Sequence, residues 1–222
     1  HVAFSIFFMN RLALAYLEGN VHSDPVLQQF YSASFDYVPH LTMDLIVPWL
    51  SQAIGIYAAG AVLVWFAFVM PPIAGVILAH TLHGRITWMS LLGFLAVFNA
   101  NMSFGFVDFN ASIGLALLAF VLWIRMPPGW RRTVVFFPIG LVLTINHALA
   151  FLVFGYLALV WEIVQFFKGE RARIGRFLLQ LVCLDSLAML GGLIFLGLSM
   201  TGASDITPNS AIPSHPEVRV FA

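Results

Sequence analysis

Residues 125–176 read RMPPGWRRTVVFFPIGLVLTINHALAFLVFGYLALVWEIVQFFKGERARIGR. The apolar run 132–167 is too long for one crossing of a bilayer, which takes ~20 residues of helix. Asn146 and His147, near its middle, mark the expected turn. The turn is tight, so the two halves form an antiparallel hairpin. Basic residues lie at both of its open ends: Arg125, Arg131 and Arg132 before it, and Lys168, Arg171, Arg173 and Arg176 after it. Basic loops stay on the cytoplasmic side of a membrane, so the Asn146-His147 turn belongs to the opposite side.

The same pattern extends outward along the chain. Of ten basic residues, those seven and Arg85 fall in three short hydrophilic breaks, at 81–86, 125–132 and 168–176. Seven of the ten acids, Glu18, Asp24, Asp36, Asp44, Asp108, Asp205 and Glu217, fall in the segments that alternate with those breaks. Hydrophobic residues make up 61% of the chain and charged ones 9%, whereas soluble domains carry about 25% charged residues. The composition therefore excludes an ordinary soluble fold and indicates an all-α, polytopic membrane bundle. A net charge of zero gives no reason to expect nucleic acid. One cysteine, Cys183, excludes an internal disulfide and a cysteine-based metal site.

Apolar runs predict about six transmembrane helices, near 55–80, 86–103, 106–124, 132–147, 148–167 and 176–200. Pro71 and Pro72 should kink the first, because proline removes a backbone donor and crowds the preceding turn. Three regions result: an extracytoplasmic interfacial segment at 1–54, the bundle at 55–200, and an extracytoplasmic loop at 201–222. Within the first region, residues 2–17 read as a helix lying in the headgroups, since Arg11 at mid-depth would cost at least ~2.5 kcal/mol. Asp24 should cap a second short helix with Pro25 at its first position. A third element, about 40–52, leads into the first span.

Candidate chemistry gathers on the acidic side. Asp36, His40 and Asp44 are spaced four apart and share a helical face. They suit a general base or, with a phosphate, ligands of a divalent cation; an interfacial helix with a wet polar side would look the same. Asn99, Asn101, Ser103, Asp108 and Asn110 crowd the turn around Gly105, where Asp108 is either an acid with a chemical role or, like Asn110, a helix cap. His147 either binds phosphate or accepts a proton, or else satisfies backbone carbonyls freed at the turn. Glu162 and Asp185 lie inside predicted spans, where a carboxylate is costly. Glu162 is close enough to Lys168 to snorkel, and Asp185 needs a partner such as Ser186 or a polar group on another helix. His80 and His83 could share one helix face and bind haem or a metal, but nothing beside them supports it.

Four stretches carry a resemblance: DPVLQQFYSASFDYVPHLTMDLIVPWLSQAIG at 24–55, AHTLHGR at 79–85, FNANMSFGFVDFNASIGLALLAFVLWIR at 98–125 and NHALAFLVFGYLALVWE at 146–162. Together they resemble a group of uncharacterised polytopic bacterial membrane proteins, which in turn resemble GT-C-type glycosyltransferases. That resemblance implies a polyprenyl-phosphate sugar donor used on the extracytoplasmic face of the inner membrane, with an acidic residue of an outer loop as base or metal ligand. It favours Asp44 and Asp108 as the catalytic carboxylates, with Asp36 third. His40, Asn101, Asn110 and His147 become the expected substrate-binding groups. In the resembling group a further span and a short acidic motif ending in histidine come first, and His1 looks like the end of that motif. The alternative expectation is a non-catalytic subunit of a larger membrane assembly, with other membrane subunits as partners. A transporter would want paired broken helices, and Pro71-Pro72 has no counterpart.

Overall fold

The structure is a computed structural model that describes residues 6–20, 23–30, 42–86, 88–91, 107–168 and 185–202. Among these residues it is all-helical. The helices are α1 (Ile6–Asn20), α2 (Pro25–Phe30), α3 (Thr42–Ile54), α4 (Ile56–His83), α5 (Val107–Arg125), α6 (Trp130–Asn146), α7 (Ala148–Phe167) and α8 (Ser186–Gly202). A single 3-10 turn, Trp88–Leu91, follows α4. Three helices, α4, α5 and α7, are long and apolar enough to cross a membrane.

Helix directions follow from who meets whom. Gly114 of α5 lies against Met70 and Pro71 of α4, and Arg125 Nη2 donates to Thr81 Oγ1 at 2.9 Å. Between these two contacts both helices advance in the same sense, so α4 and α5 run parallel. The end of α4 and the start of α5 therefore lie at opposite ends of the pair; α5 alone, at 19 residues, is roughly 28 Å long. The expected span at 86–103 lies mostly outside the described residues. Helices α6 and α7 form the antiparallel hairpin expected from the sequence, turning at His147. Helix α8 runs parallel to α6, with Asp185 at Arg132 and Gly191 at Phe137. Arg85, Arg125, Arg131 and Lys168 consequently gather at one end. Gly55, the Asp108 turn and His147 mark the other.

Local chemistry explains the boundaries. Asp24 Oδ1 accepts from Val26 N at 2.8 Å and Leu27 N at 3.4 Å, the N-cap expected for α2. Gly55, at φ 82°, is the single residue between α3 and α4. That left-handed conformation suits glycine and lets α3 break away from the axis of α4. Pro71 and Pro72 do not end α4, which is one continuous helix across them.

Two cores result. Helix α1 buries Phe8, Leu12 and Ala15, spaced as one helical face, against Val47 of α3 and Ala59, Leu63 and Ala67 of α4. The helix expected to lie in the headgroups packs against α3 and α4. The larger core joins α5, α6, α7 and α8 around Trp123, Phe136 and Phe154. Phe136 and Phe154 stack with centroids 5.5 Å apart, and Trp123 meets both edge-on.

Glycine sets the closest approaches. A Cβ at Gly191 would stand 2.5 Å from the Phe137 carbonyl oxygen, and one at Gly114 would stand 2.8 Å from Met70 and Pro71 backbone atoms. Small residues at such contacts let membrane helices pack backbone to backbone. Gly114→Ala and Gly191→Ala should each lower stability by ~1–3 kcal/mol, the usual cost of overpacking. Gly155→Ala and Gly197→Ala, which meet nothing within 4 Å, should be neutral or better in the same thermal unfolding assay in detergent. Equal losses at all four positions would contradict the packing described.

Candidate functional site

Two polar places stand out in an otherwise apolar bundle, one at each end. At the end carrying Gly55 and His147, α3, α4, α5 and α6 enclose a cavity of about 420 Å³. Aliphatic and aromatic side chains make most of its wall, among them Val47, Leu63, Ala111 and Leu115. Two polar side chains join them: Asp108, from the first turn of α5, and Asn146, the last residue of α6. Ile46, Val62, Phe66 and Val142 also line it and are about half exposed, so the mouth is apolar and opens sideways between helices.

The local sequence explains how the polar pair reaches this wall. Val107 begins α5, so Asp108 lies within the first turn instead of capping it from outside. A carboxylate there faces the positive end of the helix dipole. Asn110, two residues on, is buried, and Ser112 Oγ donates to the Asp108 carbonyl at 2.5 Å. Asn146 is buried at the end of α6, one residue before the turn.

His147 belongs to the same end. Its Nδ1 accepts from Leu149 N at 3.3 Å, capping α7, and its ring meets Phe109 edge-on at 5.3 Å. His147 thus has a backbone role at this turn, satisfying a free donor of the first turn of α7. Accepting at Nδ1 leaves the neutral ring its proton on Nε2. The Phe109 contact places Asp108, Asn110, Asn146 and His147 around the junction of α5, α6 and α7. Asp44 is the third residue of α3, a helix that supplies part of the cavity wall. Asp36, His40 and Asn101 lie outside the described residues. His80 and His83 are exposed at the far end of α4. Among the described residues no three His, Cys, Asp or Glu side chains gather to hold a metal ion.

At the opposite end sits a buried ionic cluster. Arg132 Nη1 donates to Glu162 Oε1 at 2.9 Å and Arg132 Nη2 to Asp185 Oδ1 at 2.7 Å. Trp123 Nε1 donates to the same Glu162 oxygen at 3.0 Å, and the guanidinium lies over the Trp123 ring, 3.9 Å from its centroid. The three charged side chains are only 2%, 1% and 9% exposed. One guanidinium thus ties α5, α6, α7 and α8 together. Arginine suits the position because its planar fork can serve two carboxylates while its face stacks on an aromatic ring.

This cluster corrects two expectations. Arg132 is no member of the exposed basic turn, although Arg131, its neighbour, is exposed with its guanidinium 6.0 Å from the Trp130 ring centroid. Glu162 does not snorkel toward Lys168; it turns inward. Asp185 does find a polar group on another helix, as its burial required. The signal for Arg132 was phase. It falls on the face of α6 that buries Phe136, Gly140, Leu143 and Thr144.

Comparison of the chain with family models, with curated proteins and with solved structures finds no match in any of the three.

Proposed function

We propose that this protein is a multi-pass bacterial inner-membrane glycosyltransferase of GT-C-like architecture, using a polyprenyl-phosphate sugar on its extracytoplasmic face. The basic end of the bundle is cytoplasmic, and the end bearing Asp108 and His147 is extracytoplasmic. Helices α6 and α8, 17 residues each, meet the lower limit of about 17 residues for a span. With α4, α5, α7 and the 86–103 stretch they make six spans.

The carrying observation is the carboxylate of Asp108 on the wall of an apolar cavity that opens between helices. In transfer, the oxygen of an acceptor hydroxyl bonds to the anomeric carbon of the donor sugar. The bond from that carbon to the phosphate oxygen breaks, and its electron pair leaves with the polyprenyl phosphate. The hydroxyl proton passes to Asp108. Holding acceptor and base together in a site shielded from water is what lowers such a barrier. Asn146 shares the cavity wall with Asp108 and can help to orient reactants; Asn110 and His147 sit at the same end, in the first turn of α5 and at the turn before α7. Asp44, the third residue of α3, is the second carboxylate that the sequence favours.

Purified protein in liposomes, supplied with radiolabelled polyprenyl-phosphate sugar, should move label into a new product. No transfer with any such donor, in liposomes where the protein is folded, would remove the reading.

One observation favours a non-catalytic subunit instead. Tyr156 lies midway along α7 and is well exposed, and a tyrosine hydroxyl facing hydrocarbon wants a partner. Purification at constant stoichiometry with another membrane protein, lost in Tyr156→Phe, would favour that reading.

A further inference from the structure

We propose that the cavity is the acceptor site, and that the acceptor is a single-chain amphiphile with a neutral hydroxyl head; the acceptor role rests on the glycosyltransferase reading, whereas the binding site does not. The wall decides the chemistry. Among the described residues that line the cavity, the only ionisable one is Asp108 and the only other polar one is Asn146. An ionised carboxylate only accepts hydrogen bonds, at about four lone-pair positions. It can keep partners within the protein and still accept from a ligand hydroxyl. Asn146 can accept or donate.

A phosphate head would place like charge against Asp108 in a low-dielectric setting, which disfavours it strongly. The donor phosphate therefore belongs elsewhere, and this cavity takes the other substrate. Its apolar wall reaches from Asp108 to Leu115 on α5 and from Ala59 to Phe66 on α4. About seven residues of helix give each wall a length of roughly 10 Å. A cavity of about 420 Å³ is toward the small end of ligand sites, which run about 300–1,000 Å³. That is room for one chain. The half-exposed apolar residues Ile46, Val62, Phe66 and Val142 at the mouth let the chain arrive from the bilayer, where a water-soluble acceptor would not travel.

The test uses a hexadecanol carrying a diazirine in its chain, on the full protein in phosphatidylcholine liposomes. Photolabelling should fall on peptides holding residues 46–66 and 142–146 and be competed by plain hexadecanol. Hexadecyl phosphate should compete at least about ten-fold less well. Val62→Trp, a change at the exposed mouth that spares the core, should cut labelling several-fold. Asp108→Asn should narrow the preference for alcohol over phosphate. Equal or better competition by hexadecyl phosphate, or wild-type labelling of Val62→Trp, would overturn the inference. Sugar transfer is measured in parallel. Selective labelling without transfer from any polyprenyl-phosphate sugar keeps the cavity assignment and ends the glycosyltransferase reading. Transfer without labelling does the opposite.

Discussion

Arg132→Met should cost ~3–5 kcal/mol of stability, the usual penalty for removing one partner of a buried ion pair. The change leaves Glu162 and Asp185 facing the same space from α7 and the start of α8, with the cation that bridged them gone. It also removes the guanidinium from the Trp123 ring. Arg132→Lys should rescue little, because an ammonium is a compact point charge that cannot fork to both carboxylates while stacking on the indole. A combined variant separates charge from packing. Arg132→Met with Glu162→Gln and Asp185→Leu removes all three charges of the cluster. The carboxamide that Glu162→Gln introduces keeps a carbonyl oxygen to accept from Trp123 Nε1. Replacing buried ionic groups by apolar ones of similar volume is often neutral or stabilising. The combination should therefore regain most of the lost stability. Thermal unfolding in detergent measures all three. Wild-type stability of Arg132→Met would mean that the cluster does not hold the helices together.

Asp108→Asn should lower sugar transfer by about 10²–10⁴-fold, the usual contribution of a positioned acid or base. The carboxamide keeps the shape and loses the basicity. The fold should survive, because the carboxamide is nearly isosteric with the carboxylate and the backbone carbonyl that accepts from Ser112 Oγ is untouched. An unchanged melting temperature with a lost rate would mark a chemical role. Asp44→Asn tests the second carboxylate. If both variants transfer sugar at the wild-type rate, neither residue is the base.

How much of this was legible in sequence depends on how local each feature is. The Asp24 cap was fully legible, because its partners Val26 and Leu27 are the next turn of the chain. The α6–α7 hairpin was legible too, since Asn146 and His147 interrupt a run nearly twice the length of a span. Charge sorting anticipated the grouping of Arg85, Arg125, Arg131 and Lys168 at one end. It failed at Arg132 because a charge near a helix end has two outlets, the headgroups or the bundle interior. Helix rotation chooses between them, and rotation is set by distant contacts such as Gly191 on Phe137 and Trp123 on Phe136. Burial phase could have separated Arg132 from Arg131, as it places Glu162 with Phe151, Phe154 and Ala158 on the inner face of α7. The cavity was not legible at all. Its wall draws on four helices, and sequence spacing relates residues only within one.

The central claim is that this bundle spans a membrane with its basic end cytoplasmic and its Asp108 end outside. Single cysteines in a Cys183→Ser background test it, placed at Gln52, exposed near the end of α3, and at Lys168, exposed after α7. A membrane-impermeant maleimide applied to intact bacterial spheroplasts should label Gln52→Cys at once. It should reach Lys168→Cys only after the membrane is opened. Labelling of both from the same side, or of Lys168→Cys alone from outside, would contradict the account.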